Sequence, residues 1–212
     1  MQIYNTRVWS EDPFRFLHKG NMLLNTCIEI LELQYNDMST VEFYDFYRQC
    51  EPANLIFNAP MGHVSEYYYS IDMSVDILHE LLAFQFDKEP EAIKDFLKWL
   101  LWVCDKRVQK LNTLMIEGSA NSGKNYFFDC VLHYYINWGQ MGNFNKFQNF
   151  PLQGCVNKRI ILWNEPRMEP GAEEDIKTLF GGDSTSAKVK YKPDTIIGRT
   201  PIIVLTNQLR SE

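Results

Sequence analysis

The sequence predicts an α/β fold, a mostly parallel sheet flanked by helices, preceded by a helical N-terminal region. Three observations predict it. From residue 112 onward, short apolar runs alternate with helical patterns, as in sheets built through helical crossovers. Before residue 110, apolar residues recur at helical spacing. Between the two stands Gly118-Ser119-Ala120-Asn121-Ser122-Gly123-Lys124-Asn125, a glycine-bounded loop set between an apolar run and a helical one.

The N-terminal elements come first. Residues 1–20 read as irregular, and the Asp12-Pro13 step disfavours a helix there. Residues 22–31 have apolar positions close to helical spacing. Ser39 with Glu42 three residues on resembles a capping box opening an aromatic-rich helix to about Cys50. Pro52, Pro60 and Gly62 mark a loop over residues 51–63. Ser74 is expected to open a helix through Phe86 with Val75, Ile77, Leu78, Leu81, Leu82 and Phe84 on a broad apolar face. Pro90 is suited to the first turn of a further helix, with Ile93, Phe96, Leu97, Leu100, Leu101 and Cys104 on one side. Trp99 and Trp102 read as core. The four histidines (His18, His63, His79, His133) are dispersed and show no metal-ligand spacing.

In the second half, Thr113–Glu117 reads as a strand, followed by the loop and a helix to about Trp138. Strand, loop with glycines and lysine, then helix is the context of a phosphate-binding loop. Backbone N–H groups of the loop and the helix N-terminus form a nest for anionic phosphate. Glycine at 118 and 123 permits close approach and unusual backbone angles, and Lys124 adds a full positive charge. Residues 118–125 are thus the candidate ATP site. The residue after the lysine is commonly Ser or Thr, whose hydroxyl holds Mg²⁺; here it is Asn125, whose amide oxygen can also ligate a hard cation.

Arg159–Trp163 is the next strand signal, ending at Asn164-Glu165-Pro166. Glu165 is the candidate for water activation and indirect Mg²⁺ contact. A helix is expected around Glu173–Phe180, ended by Gly181-Gly182. Pro201–Thr206 reads as a strand that delivers Asn207, a candidate for touching the γ-phosphate or the attacking water. Between them, Lys188, Lys190 and Lys192 alternate with Val189 and Tyr191, and in a strand that period puts all three lysines on one face. Over residues 182–199 four cations (these lysines and Arg199) face two carboxylates (Asp183 and Asp194). The segment suits either the backbone of single-stranded nucleic acid or a solvated edge strand guarded by lysines.

Composition bounds the rest. The chain has 212 residues, 45% of them apolar and 14% aromatic, and a net charge of −6, enough for a sizeable core but with no whole-chain basic signature. Five scattered cysteines without a C-x-x-C pair argue against a disulfide framework and for a reducing compartment. The N-terminus lacks the apolar core of a signal peptide. The most apolar stretch, residues 96–104, is interrupted by Lys98 and falls far short of the ~20 residues of a membrane span. A soluble protein is expected.

Taken in order, GSANSGKN, IILWNEP, the GG-to-KVKYK segment and PIIVLTN resemble the superfamily 3 helicase domain of the parvovirus large non-structural replication protein. The GKN variant and WNEP are most similar to the densovirus branch. The resemblance spans about residues 80–207 and leaves the first 70 residues unplaced. It implies an AAA+-like P-loop ATPase that uses ATP and Mg²⁺. Such a protein assembles as a ring, commonly a hexamer, on single-stranded DNA and unwinds viral DNA in the host nucleus. By position, Lys124 and Asn125 fall in the first ATP motif and Glu165 in the second. Lys190 and Lys192 fall on the DNA-contacting hairpin, and Asn207 is the sensor. The implied organisation is an unassigned, partly helical segment over 1–70, a helical oligomerisation region over 71–110, and an ATPase core over 111–212.

Three departures accompany the resemblance. Asn125 and Asn164 replace the commoner Ser/Thr and acid. No counterpart of the family's arginine finger follows the sensor strand, since Arg210 stands too close to it. The paired-histidine nuclease motif is also missing. The expectation is therefore a helicase domain, with a fragment or an endogenous viral remnant that binds nucleotide or DNA without efficient hydrolysis as the alternative. A host P-loop ATPase unrelated to viruses is the third reading.

Overall fold

The structure, a computed structural model, describes residues 20–50 and 68–207. The irregular N-terminus with His18, the loop over 51–63 with His63, and residues 208–212 with Arg210 lie outside the described residues. Four helices come first: α1 (Met22–Asp37), α2 (Thr40–Gln49), α3 (Ile71–Gln85) and α4 (Pro90–Cys104). Then follow β1 (Thr113–Glu117), α5 (Lys124–Tyr134), β2 (Trp138–Gln140), β3 (Ile160–Asn164) and α6 (Glu173–Phe180). A hairpin of β4 (Thr185–Ala187) and β5 (Thr195–Ile197) precedes β6 (Ile202–Thr206).

The sheet is parallel throughout, in the order β1-β6-β3-β2. Because all four strands run the same way, their carboxyl ends share one edge, where α/β folds place their ligand crevices. Thr113 pairs with Ile202 and Glu117 with Thr206, so the last residues of β1 and β6 stand level. Both faces of the sheet are covered, and β3 and β6 are buried along almost their whole length. Ile160, Leu162, Ile203 and Leu205 pack with Phe128 and Leu132 of α5. Ile161, Trp163, Ile202 and Val204 pack with Ile176 and Leu179 of α6.

The helical region docks on the α5 side. Ser39 and Glu42 form the expected capping box at the start of α2, and Pro90 occupies the first turn of α4. Phe43 is fully buried and meets Tyr134 and Tyr135 with ring centroids 5.9 and 5.4 Å apart. Tyr47 donates to the Tyr134 carbonyl (2.8 Å), and the Tyr134 hydroxyl donates to the Thr40 carbonyl (2.8 Å). None of the five cysteines is paired. Burial pushes the Cys104 thiol up to about 11 and that of Cys155 up to about 12, so both stay neutral and pack as small hydrophobes.

A buried ion pair joins the two regions. Arg159, just ahead of β3, has a side chain 1% exposed. It donates to the carbonyls of Met38 (3.0 Å) and Cys104 (2.6 Å), reaches Asp105 Oδ1 at 3.4 Å, and lies 4.7 Å from the Tyr135 ring centroid. Asp105 Oδ1 also accepts from Thr40 N (2.9 Å) and Thr40 Oγ (2.6 Å). The guanidinium and the carboxylate are thus both hydrogen-bonded, as charges inside a protein need to be.

Several expectations are corrected. The helix after the loop stops at Tyr134 rather than Trp138: Ile136 takes φ 60°, which a helix cannot continue through, and Trp138 begins β2. The helix expected from Ser74 begins three residues earlier, capped by Ser70, whose hydroxyl accepts from Met73 N. Its apolar face is largely uncovered, with Val75 57%, Ile77 39% and Phe84 77% exposed; Leu82 is its buried residue. Leu97 and Trp99 of α4 are likewise exposed, while Trp99 meets Trp102 edge-on and Lys98 lies over Trp102.

The lysine segment is corrected most. Lys188, Lys190 and Lys192 do not lie in a strand, because β4 ends at Ala187 and β5 begins at Thr195. They occupy the connection at the hairpin tip, all three exposed. Pairing stops there because Lys192 N turns back to the Val189 carbonyl (3.2 Å) and Tyr191 takes φ 61°.

Replacing Arg159 by Met should cost about 3 kcal/mol, because Asp105 would keep only the half-exposed Arg107 (3.1 Å) as countercharge and the carbonyls of Met38 and Cys104 would lose their donor. Thermal unfolding should register this as a fall of roughly 6–12 °C in Tm for a chain of this size; an unchanged Tm would show that the pair carries no weight.

Candidate functional site

The site is assembled at the carboxyl edge of the sheet. The chain leaves β1 at Glu117 and enters residues 118–123, tied back to the sheet by Gly118 N donating to the Thr206 carbonyl (3.1 Å). Within the loop, Ser122 N donates to the Ser119 carbonyl (3.3 Å), Asn121 has φ 63° and Gly123 φ 86°. Gly123 caps α5 in the left-handed region that glycine enters without strain. Gly118 is constrained differently, since a Cβ there would meet Ser122 Oγ at 3.0 Å. From the helical region, Gln85 at the end of α3 donates to the Ser122 carbonyl at 3.3 Å.

Lys124 is the first residue of α5, and its side chain folds back over the loop. Nζ donates to the carbonyls of Gly118 (3.1 Å) and Ser119 (3.3 Å) and to Asn207 Oδ1 (2.5 Å). Asn207, directly after β6, donates its backbone N–H to Glu165 Oε2 at 3.3 Å. Glu165, directly after β3, donates its own N–H to the Leu205 carbonyl (2.8 Å) and takes φ 50°. A chain of two hydrogen bonds thus runs from the loop lysine through the end of β6 to the carboxylate at the end of β3.

A crevice of ≈510 Å³ opens over these groups, lined by residues 120–126 together with Asn164, Glu165 and Asn207. Asn125 stands exposed in the first turn of α5. Asn164 Oδ1 is buried and has no hydrogen-bond partner. An orphaned acceptor in a polar crevice is costly unless something donates to it or coordinates it. Asn164 lines the crevice beside Glu165 and Asn125, which also bring oxygen atoms to it. Among the described residues no cluster of three or more His, Cys, Asp or Glu side chains could hold a metal. A larger recess of ≈980 Å³ adjoins the crevice on the α6 side and shares Ala120, Glu165 and Asn207 with it.

Residues 118–125, Glu165 and Asn207 are therefore brought together. Lys188, Lys190 and Lys192 are not; they stand on the hairpin tip and line neither cavity. The hairpin is anchored through its paired strands by Ala187 and Ile197, both in the core, and at its tip by Lys190 N donating to Gln153 Oε1 (3.0 Å). Sequence reasoning does not pick out Gln85 as a neighbour of the loop, because nothing in a helix end signals a partner 37 residues away. Asn164 is visible in the sequence as a departure at a strand end, but its orphaned oxygen is not.

Residues 94–209 match the family model described as Parvovirus non-structural protein NS1. The chain is 40% identical over 140 residues to initiator protein NS1 of Junonia coenia densovirus, a match covering 66% of this chain and 26% of that protein. It is 40% identical over 148 residues to initiator protein NS1 of Bombyx mori densovirus, covering 66% and 17%. The chain thus spans about a quarter, or less, of the length of these relatives. The solved structure of the JCV helicase aligns with a TM-score of 0.55 at 17% identity, covering 90% of this chain and 52% of that one, a likeness of fold.

Gly123→Ala should destabilise the chain by about 1 kcal/mol in urea titration, because a Cβ is strained at φ 86°. Gly118→Ala should cost less, since the Ser122 hydroxyl can rotate away; the reverse order would contradict this account of the loop.

Proposed function

The chain belongs to the parvovirus non-structural protein NS1 family, and we propose that it is the ATP-driven DNA helicase domain of such a replication protein. The observation that carries this reading is the convergence of Lys124, at the start of α5, with Asn207 and Glu165, at the ends of β6 and β3. A phosphate loop becomes a hydrolytic site when its lysine faces a carboxylate and a polar side chain across one crevice.

In this reading residues 118–124 cradle the triphosphate through backbone N–H groups and the N-terminus of α5. Lys124 exchanges its carbonyl partners for the β- and γ-phosphate oxygens. Asn207, released from Lys124, orients the attacking water or the γ-phosphate. Glu165 accepts a proton from that water on a carboxylate oxygen. Asn125, Asn164 and Glu165 would hold Mg²⁺ or its water shell, which when bound neutralises charge on the phosphates.

Single-stranded DNA is the proposed partner of the hairpin, with Lys188, Lys190 and Lys192 neutralising phosphates at its exposed tip. Residues 111–212 belong to the ATPase core. Residues 71–110 serve self-association into a ring, commonly a hexamer in this family, and the exposed Val75, Ile77, Phe84, Leu97 and Trp99 supply apolar surface for it. The site of action is the host nucleus. No helix among the described residues is long and apolar enough to cross a membrane.

Lys124→Ala should weaken ATP binding about tenfold or more in calorimetry, since it removes charge-assisted bonds to phosphate. Glu165→Gln should keep ATP affinity while lowering DNA-stimulated turnover ~10²-fold or more. Equal ATP affinity in the Lys124 variant would sink the assignment of the loop. Replacing Lys188, Lys190 and Lys192 together by Ala should reduce single-strand affinity and flatten its dependence on log[salt], by about 0.7 for each phosphate no longer neutralised. An unchanged slope would remove the hairpin from the DNA path.

A further inference from the structure

We propose that Tyr191 grips single-stranded DNA by stacking on a base, so that the hairpin tip reads bases as well as phosphates. This rests on the reading of the hairpin as the single-strand binding element.

Tyr191 is 93% exposed, the most exposed large apolar side chain among the described residues. A single exposed aromatic is ordinary by itself, but three further features set this one apart. Its backbone takes φ 61°, a conformation that glycine or asparagine adopts more cheaply than a bulky residue. A strained position occupied by a large ring points to a use for the ring. The ring stands within a run of three exposed lysines over residues 188–192, and the Lys190 ammonium lies 5.0 Å from its centroid. That cation covers one side of the ring and leaves the other open. The tip is also held in place rather than free. Lys190 N is bonded to Gln153 Oε1 and Lys192 N to the Val189 carbonyl, above a paired base whose Ala187 and Ile197 are in the core.

An open aromatic face beside several cations matches the chemistry of an unpaired nucleotide. The base offers a π-face to the ring and its phosphates offer charge to the lysines. A duplex offers only the second of these along its length, because its bases are already stacked on each other. The device therefore favours single strands without selecting a sequence, since every base has a face to stack.

The test uses this chain with fluorescein-labelled 15-mers in anisotropy titrations at several salt concentrations. One strand is oligo-dT; the other has the same length and charge but abasic sugars at its central positions. The wild-type chain should bind oligo-dT about tenfold tighter than the abasic strand. Tyr191→Ala should remove that preference and leave the salt slope unchanged, and Tyr191→Phe should keep it. Equal wild-type affinity for the two strands, or a full preference retained in Tyr191→Ala, overturns the stacking role. If joint replacement of Lys188, Lys190 and Lys192 also leaves affinity and slope unchanged, the hairpin does not touch the strand and both readings fall. Lysine-sensitive binding without a base preference defeats the stacking role alone.

Discussion

The buried guanidinium of Arg159 is the interaction on which the arrangement of this chain depends. It draws the end of α4, the junction between α1 and α2, and the last turn of α5 onto the start of β3. A charge so deeply placed cannot drift, because each displacement would strand a polar group away from water. The helical region is therefore held to the sheet by directional bonds as well as by the aromatic cluster around Phe43. Because β3 is short and extended, fixing its first residue also sets where its last residue emerges, and Glu165 follows directly from that.

The rest of the crevice is a consequence of parallel pairing. β6 lies between β1 and β3, so the residue that ends it, Asn207, stands between the phosphate loop and Glu165. In an antiparallel sheet these three ends would alternate between opposite edges. Lys124 is held by two loop carbonyls and Asn207. That lysine therefore ties the loop directly to the residue after β6. Gln85 adds a direct hydrogen bond between the helical region and the same loop.

Charge is distributed to match. The chain is acidic as a whole, yet its hairpin tip carries three exposed lysines around one exposed ring. Local concentration of cations matters more than net charge for holding a polyanion, because screening confines each interaction to about 8–10 Å. The hairpin is separate from the crevice in its lining residues but continuous with it through the core, since Ala187 and Ile197 pack in the same cluster as Trp163 and Val204.

Much of this was legible in the residues themselves. The strand signals at 113–117, 159–163 and 201–206, each within a residue of the observed strand, the helix around 173–180, the capping box of Ser39 and the loop at 118–125 are all local patterns, and consecutive residues carry them. The positions of Lys124, Glu165 and Asn207 around one crevice were legible because each sits at the end of an element whose type is locally encoded. What only the tertiary structure decided are relations between distant residues or competitions that local pattern cannot rank. The alternation of lysines satisfied the period of a strand, but the turn at Tyr191 ended the pairing first. The apolar face of α3 had the right spacing for burial, and no described neighbour covers most of it. Trp138 continued a helical pattern until the left-handed Ile136 broke it. Arg159 looked like a polar residue in front of an apolar strand, and the partners of its side-chain hydrogen bonds lie 54 to 121 residues away. Periodicity and turn chemistry act over a few residues and can be read along the chain, whereas desolvation and the pairing of buried charges depend on which residues the fold brings together in space.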